Sequence, residues 1–206
     1  HSLLPGAPEI KKFFKDCLII YKSLEIVGGD LYYFKESREN VYLAAIDCTG
    51  HGVPGAFMTV LVNSLLNQIL DAYPDENAGS VLRRLHESVR ESLKSQTEKR
   101  HLENGLDIAL CRISKDKTRI NFAGGGLPLL ISRSGELTEI KGDPLHLGFS
   151  VHNPLVFNDH FLEIQAADRF YLITDGVLDL PGGERGFGMG HKAWQNVIRQ
   201  AENMPA

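Results

Sequence analysis

The chain has 206 residues, 43% hydrophobic and 23% charged, with a formal net charge of -4, the make-up of one substantial globular domain. No Lys/Arg block occurs, so a nucleic-acid partner is not expected. The three cysteines, Cys17, Cys48 and Cys111, are scattered and form no CxxC pair, which excludes a zinc knuckle and a disulfide framework and fits a reducing cytoplasm.

The opening "HSLLPGAPEIKKFFKD" (1–16) is too polar for the apolar region of a signal peptide. It lacks an initiator Met and reads as the end of a helical linker from an upstream domain. Residues 17–206 then form one domain, with no repeat or low-complexity tract. No apolar run approaches the ~20 residues of a membrane span, so no direct membrane contact is expected of this domain. "CLIIYK" (17–22) and "VYLAAI" (41–46) read as strands, apolar and bounded by turn residues. From Pro54 to about Leu70, apolar residues cover most of a helical surface, which predicts a helix buried all round with Pro54 in its first turn. "AGSVLRRLHESVRESLKSQ" (78–96) predicts a surface helix, with Leu82, Leu85, Val89 and Leu93 on its inner stripe and Arg83, Arg84 and Arg90 on a solvated face.

The pattern then changes to short strand candidates, "LDIALCRI", "TRINFAG", "LPLLISR", "ELTEI", "FLEIQ" and "RFYLIT", separated by turn clusters. "HKAWQNVIRQAEN" returns to helical spacing. Strands, a helix pair, many strands and a helix predict an α+β fold with mainly antiparallel sheets layered against helices.

Three segments share one grammar: an apolar run, an Asp, and glycine close by. They are "EIVGGDLYYF" with Asp30, "AAIDCTGHG" with Asp47 and "YLITDGVLD" with Asp175. One Asp-Gly alone is most often a turn; three after apolar runs point to carboxylates drawn together, whose repulsion needs cations to offset it. An all-oxygen donor set suits Mg²⁺ or Mn²⁺, and small neighbours leave room for a backbone carbonyl, with Cys48 the candidate. Two such ions can hold a bridging hydroxide and a phosphoryl oxygen for in-line attack on a phosphate ester. His51 either protonates the leaving alkoxide or orients a water, or only hydrogen-bonds a carbonyl across the turn. "FAGGGLP" (122–128) reads as a β-turn shaping the entrance or as a phosphate cradle, and "GFGMGH" (186–191) as a loop. Asp168 reads as a turn acid before a strand. His86, His101, His146, His152 and His160 show no ligand spacing.

With these motifs in place, "VGGDLYYF", "IDCTGHGVPGAFMT", "NGLDIAL", "FAGGGLPLLI", "GDPLHLGF" and "YLITDGVLD" resemble, in order, the SpoIIE-type branch of the PP2C (PPM) metal-dependent serine/threonine phosphatases. The wording of "DCTGHGVPGAFM" and "ITDGVLDLPGGE" resembles its SiaA-like subgroup, the output domains of membrane-bound sensor phosphatases. The resemblance implies a four-layer αββα sandwich with a two-ion Mg²⁺ or Mn²⁺ centre. It implies Asp47 as the carboxylate bridging both ions, Cys48 as the carbonyl ligand, Asp30 as a ligand held directly or through water, and Asp175 as a ligand of the other ion. The substrate implied is a small regulatory protein phosphorylated on Ser or Thr, of the anti-sigma-factor-antagonist type, in a bacterial partner-switching circuit. The expected setting is a cytoplasmic domain of a membrane-anchored sensor, with a homodimer formed through the N-terminal linker. The family pattern ends in a further strand bearing an acidic pair, one Asp of which is a ligand; this chain ends at "AENMPA", before it. The alternative expectation is therefore a catalytically incomplete regulatory module that binds the same phosphoprotein.

Overall fold

The computed structural model describes residues 4, 6–23, 28–93, 105–149, 155–182 and 187–202. The end of the second predicted helix (94–96), His101, His152 and Gly186 lie outside them.

Alternation along the strands decides the layering. Strands β1 (Asp30–Glu36), β2 (Asn40–Cys48), β3 (Leu106–Ser114), β4 (Arg119–Gly125) and β7 (His160–Glu163) form one antiparallel sheet in the order β1-β2-β3-β4-β7. On one face, Tyr42, Ala44, Ile46, Leu106, Ile108 and Leu110 join the core made with two helices, α2 (Gly52–Ala72) and α3 (Ala78–Leu93). On the other face, Val41, Ala109, Cys111 and Ile113 meet Leu129 and Ile131 of the second sheet. That sheet is β6-β5-β8, built from β5 (Leu129–Arg133), β6 (Glu136–Ile140) and β8 (Arg169–Tyr171).

Beyond β8 come a short helix, α4 (Asp175–Leu178), the two-residue strands β9 (Pro181–Gly182) and β10 (Phe187–Gly188), and α5 (Gly190–Glu202). Gln195 of α5 donates to Glu139 of β6 at 3.2 Å, placing α5 beside the second sheet. The layers are helix, sheet, sheet, helix. An N-terminal helix, α1 (Ala7–Phe13), buries Ile10 and Phe13 against the body.

Three sequence expectations change. Residues 17–22 lie in no strand: Leu18 is 84% and Ile20 77% exposed, and no described strand pairs with them. An apolar run without a hydrogen-bonded neighbour has nothing to make it a strand. Second, α2 is not buried all round. Met58, Val62, Leu66 and Ile69 face the sheet, whereas Val53, Phe57 and Val60 form an exposed stripe at helical spacing. Third, α2 is long and apolar enough, by length and composition, to cross a membrane; its packing on the first sheet accounts for the buried part of that apolarity. Asp168 is a structural acid as expected, paired with Arg133 at 2.7 Å and accepting from the Gln165 N–H at 2.8 Å.

Candidate metal centre

The β ladders bring the acids together. Asp30 is the register partner of Asp47, and Asp47 that of Asp107. Directly opposed residues share a face with Cα atoms about 5 Å apart. Leu31, Ile46, Cys48, Leu106 and Ile108, the chain neighbours of these acids, belong to the helix-side core. Alternation therefore turns Asp30, Asp47 and Asp107 toward the gap between the sheets, in one row at its end. Asp175 reaches the row from the other sheet, at the start of α4.

The row is electrostatically loaded. Burial, followed by the charges of Asp175, Asp30 and Asp107, pushes the Asp47 carboxyl up to about 7. Burial also raises Asp30, and the Asp175 charge adds to it, against hydrogen bonds from Thr174 and Asp47 that favour its ionised form. The Thr174 hydroxyl donates to Asp30 Oδ2 at 3.3 Å, a link between the two sheets. None of the ion pairs among the described residues involves Asp30, Asp47 or Asp175.

Small residues set the approach of the backbone. A methyl group at Gly29 would collide with the carbonyls of Cys48 and Gly50, so glycine lets these carbonyls lie against the start of β1. The Cys48 side chain points into the helix-side core. Burial, with the charges of Asp47 and Asp30, pushes its thiol up to about 12. The side-chain direction leaves the Cys48 carbonyl, not its sulfur, on the side of the acids. His51 is the exposed N-cap residue of α2, with no side-chain capping bond.

Two residues here were not singled out from the sequence. Asp107 stands between Leu106 and Ile108 with no turn beside it, so the grammar of the other three acids passes over it. Its signal is a lone acid in an otherwise apolar strand. His146 lies 39 residues further on, inside the quoted "GDPLHLGF" but without ligand spacing, and its Nδ1 is 2.5 Å from Asp107 Oδ1. The glycine turn of "FAGGGLP" backs this pair: Gly126 has φ +78, and a methyl there would overlap the Asp107 carboxylate. The Gly126 N–H already donates to the Asp143 carbonyl at 2.9 Å. That removes one donor from the phosphate-cradle reading and favours the entrance-shaping one.

Divalent-ion chemistry can be tested against this donor set. Among the described residues, no three His, Cys, Asp or Glu side chains form a group that would hold an ion alone. Mg²⁺-like ions do not require one, since they keep several waters and use one or two carboxylates. Crowded, uncompensated carboxylates beside an available carbonyl fit such ions.

Residues 37–206 match the family model for stage II sporulation protein E, SpoIIE. The chain belongs to the SpoIIE family. The SiaA-PP2C domain of Pseudomonas aeruginosa is similar at 29% identity and TM-score 0.77, covering 87% of this chain and 69% of that one. The PP2C phosphatase domain of SpoIIE from Bacillus subtilis, with a fragment of its regulatory domain, is similar at 18% identity and TM-score 0.66, covering 88% and 48%. The catalytic domain of the serine/threonine phosphatase PstP in complex with two manganese ions is similar at 19% identity and TM-score 0.60, covering 88% and 80%. No curated protein sequence matches the chain. This SpoIIE-family domain has the PP2C fold.

Proposed function

We propose that this SpoIIE-family domain removes phosphate from Ser or Thr of a small regulatory protein of the anti-sigma-factor-antagonist type, in a bacterial partner-switching circuit, with two Mg²⁺ or Mn²⁺ ions. The observation that carries it is the Asp30–Asp47 row meeting Asp175, with none of the three in an ion pair among the described residues. The two manganese ions of the PstP relative and the likeness to the SiaA domain support the ion choice and the signalling setting. The domain acts as the cytoplasmic output of a membrane-anchored sensor, paired with a second copy through its N-terminal segment.

Asp47, beside Asp30 on the ladder and within reach of Asp175, would hold both ions. The Cys48 carbonyl would join one of them, Asp30 would bind directly or through water, and Asp175 would serve the other. When bound, the ions supply Lewis-acid chemistry, lowering the pKa of water and drawing charge from the phosphoryl oxygens. The chain does the positioning. Its ladder fixes Asp30 and Asp47 relative to each other, Thr174 ties Asp30 to the second sheet, and His51 orients water from the start of α2.

Hydrolysis of an aryl phosphate, measured with and without Mn²⁺, tests this reading. Mn²⁺-dependent turnover is expected, falling roughly 10³-fold or more in Asp47→Ala. A wild type inactive at saturating Mn²⁺ sinks the hydrolase and leaves the phosphoprotein-binding module.

A further inference from the structure

The Asp107–His146 pair lies one strand beyond Asp47 on the same row. We infer that His146 is the proton donor to the departing serine or threonine oxygen, and that Asp107 holds it in position. This inference rests on the phosphatase reading above.

Three observations carry it. The first is the contact itself: Nδ1 of His146 lies 2.5 Å from Asp107 Oδ1. A carboxylate at that distance holds a proton on Nδ1, so the second proton of the imidazolium sits on Nε2 and is the one offered to another molecule. The second is placement. Asp107 is the register partner of Asp47, the acid at the centre of the row, and its charge acts on Asp47. His146 is therefore beside the reacting phosphate's place, while its side chain stays 57% exposed toward an incoming protein.

The third is the rigidity of the support. Leu147, the next residue, exchanges two backbone hydrogen bonds of 3.0 Å with Leu106, the residue before Asp107. The Gly148 N–H donates to buried His86 at 3.1 Å, and Asp143 is tied to Gly124 and Gly126 at 2.9 Å. Phe149 packs edge-on against the imidazole, with centroids 5.8 Å apart. These bonds fix the backbone that carries both side chains, and the Asp107 contact and the Phe149 ring then set the imidazole, the preorganisation a proton donor needs. Asp107 Oδ1 is engaged by the imidazole, which gives this carboxylate an orienting role. His51 has no side-chain capping bond, and it keeps the water-orienting role.

A water oxygen bonds to phosphorus, the phosphorus–Oγ bond breaks, and its electron pair goes to Oγ. Oγ takes the proton from His146 Nε2, while the Nδ1 proton stays on the imidazole, hydrogen-bonded to Asp107. One proton of the attacking water restores Nε2, and the other remains on the phosphate product.

A donor of this kind matters in proportion to the basicity of the leaving oxygen. The experiment compares a phosphoserine peptide with p-nitrophenyl phosphate, whose phenolate leaves without a proton. At saturating Mn²⁺, His146→Gln is expected to lose about 10²-fold in kcat on the peptide and under about 10-fold on the aryl ester. Asp107→Asn should reproduce that selectivity more mildly, whereas His51→Gln should lower both substrates alike. Equal losses on the two substrates in His146→Gln overturn the inference. A wild type inactive on both removes the phosphatase reading and this inference with it, an outcome distinct from equal loss. Two measurements need no catalytic variant. A leaving-group series on the wild type should show a shallow dependence of kcat on leaving-oxygen basicity, and a steep one overturns the donor. In the metal-free protein, long-range ¹H–¹⁵N spectra should show His146 protonated at Nδ1, and a proton only at Nε2 overturns the geometry.

Discussion

The β1–β2 hairpin carries a carboxylate problem at each end and solves it in opposite ways. At the turn end, Asp75 accepts from Asn40 Nδ2 at 2.7 Å, Ser37 Oγ at 2.9 Å and the Glu39 N–H at 3.2 Å. Burial works against its charge, yet these bonds and nearby Arg112 prevail and hold its carboxyl below the ordinary range. At the other end, Asp47 faces Asp30, Asp107 and Asp175, and burial and those charges drive it up to about 7. The lesson concerns what surrounds an acid. Acids ringed by donors hold the fold together, whereas acids ringed by acids have been left for a cation to satisfy.

That contrast can be broken from the satisfied side first, where the larger stability effect lies. Asp75→Ala removes three charge-assisted bonds and replaces Asp, which tolerates the left-handed region, at φ 68; it should cost about 2 kcal/mol after allowance for exposure, read by urea unfolding. The Asp75 carboxyl is lowered on folding, so its contribution is present above the unfolded value of about 3.9 and is lost as pH falls through the folded one. The variant's deficit should therefore shrink in acid.

The opposite sign is expected at the other end, with a smaller size. The Asp47 carboxyl is raised on folding, so between about pH 4 and 7 the folded state holds the extra proton and stability falls as pH rises. In metal-free protein, Asp47→Asn should gain about 1 kcal/mol near pH 7.5, after discounting for partial exposure, and almost nothing near pH 4. Thermal melts in EDTA at the two pH values check this, and a loss of stability at neutral pH would end the comparison. The smallest effect belongs to the exposed stripe of α2. Phe57→Ser should change unfolding free energy by less than about 0.5 kcal/mol, against the sequence expectation of a helix buried on every side.

Legibility followed the range of the interaction that decides each feature. Asp30, Asp47 and Asp175 carry their context beside them in apolar runs and glycines, and the helix pair shows in its own periodicity. Asp107 and His146 mean little separately, because only the β2–β3 register and the Leu106–Leu147 bonds bring them to the row. The misread strand at residues 17–22 failed for the same reason. An apolar run reports that burial is available to it, while a strand needs a hydrogen-bonded neighbour that local sequence does not show. For α2, the exposed stripe is as apolar as the buried one, so periodicity could not tell them apart.

The stitching of residues 143–148 onto β3, β4 and α3 divides the mouth of the site like a vise. The amides of Leu106, Gly126, Asp143 and Leu147 all bond inward within this stitching, so they should exchange with solvent as slowly as the central strands, only when the whole domain opens. That side is a fixed jaw. The facing side is α4, four residues long with none buried, which has little to stop it opening locally. Accommodation of a bulky protein substrate then falls to the Asp175 side, while the jaw bearing Asp107 and His146 keeps its aim.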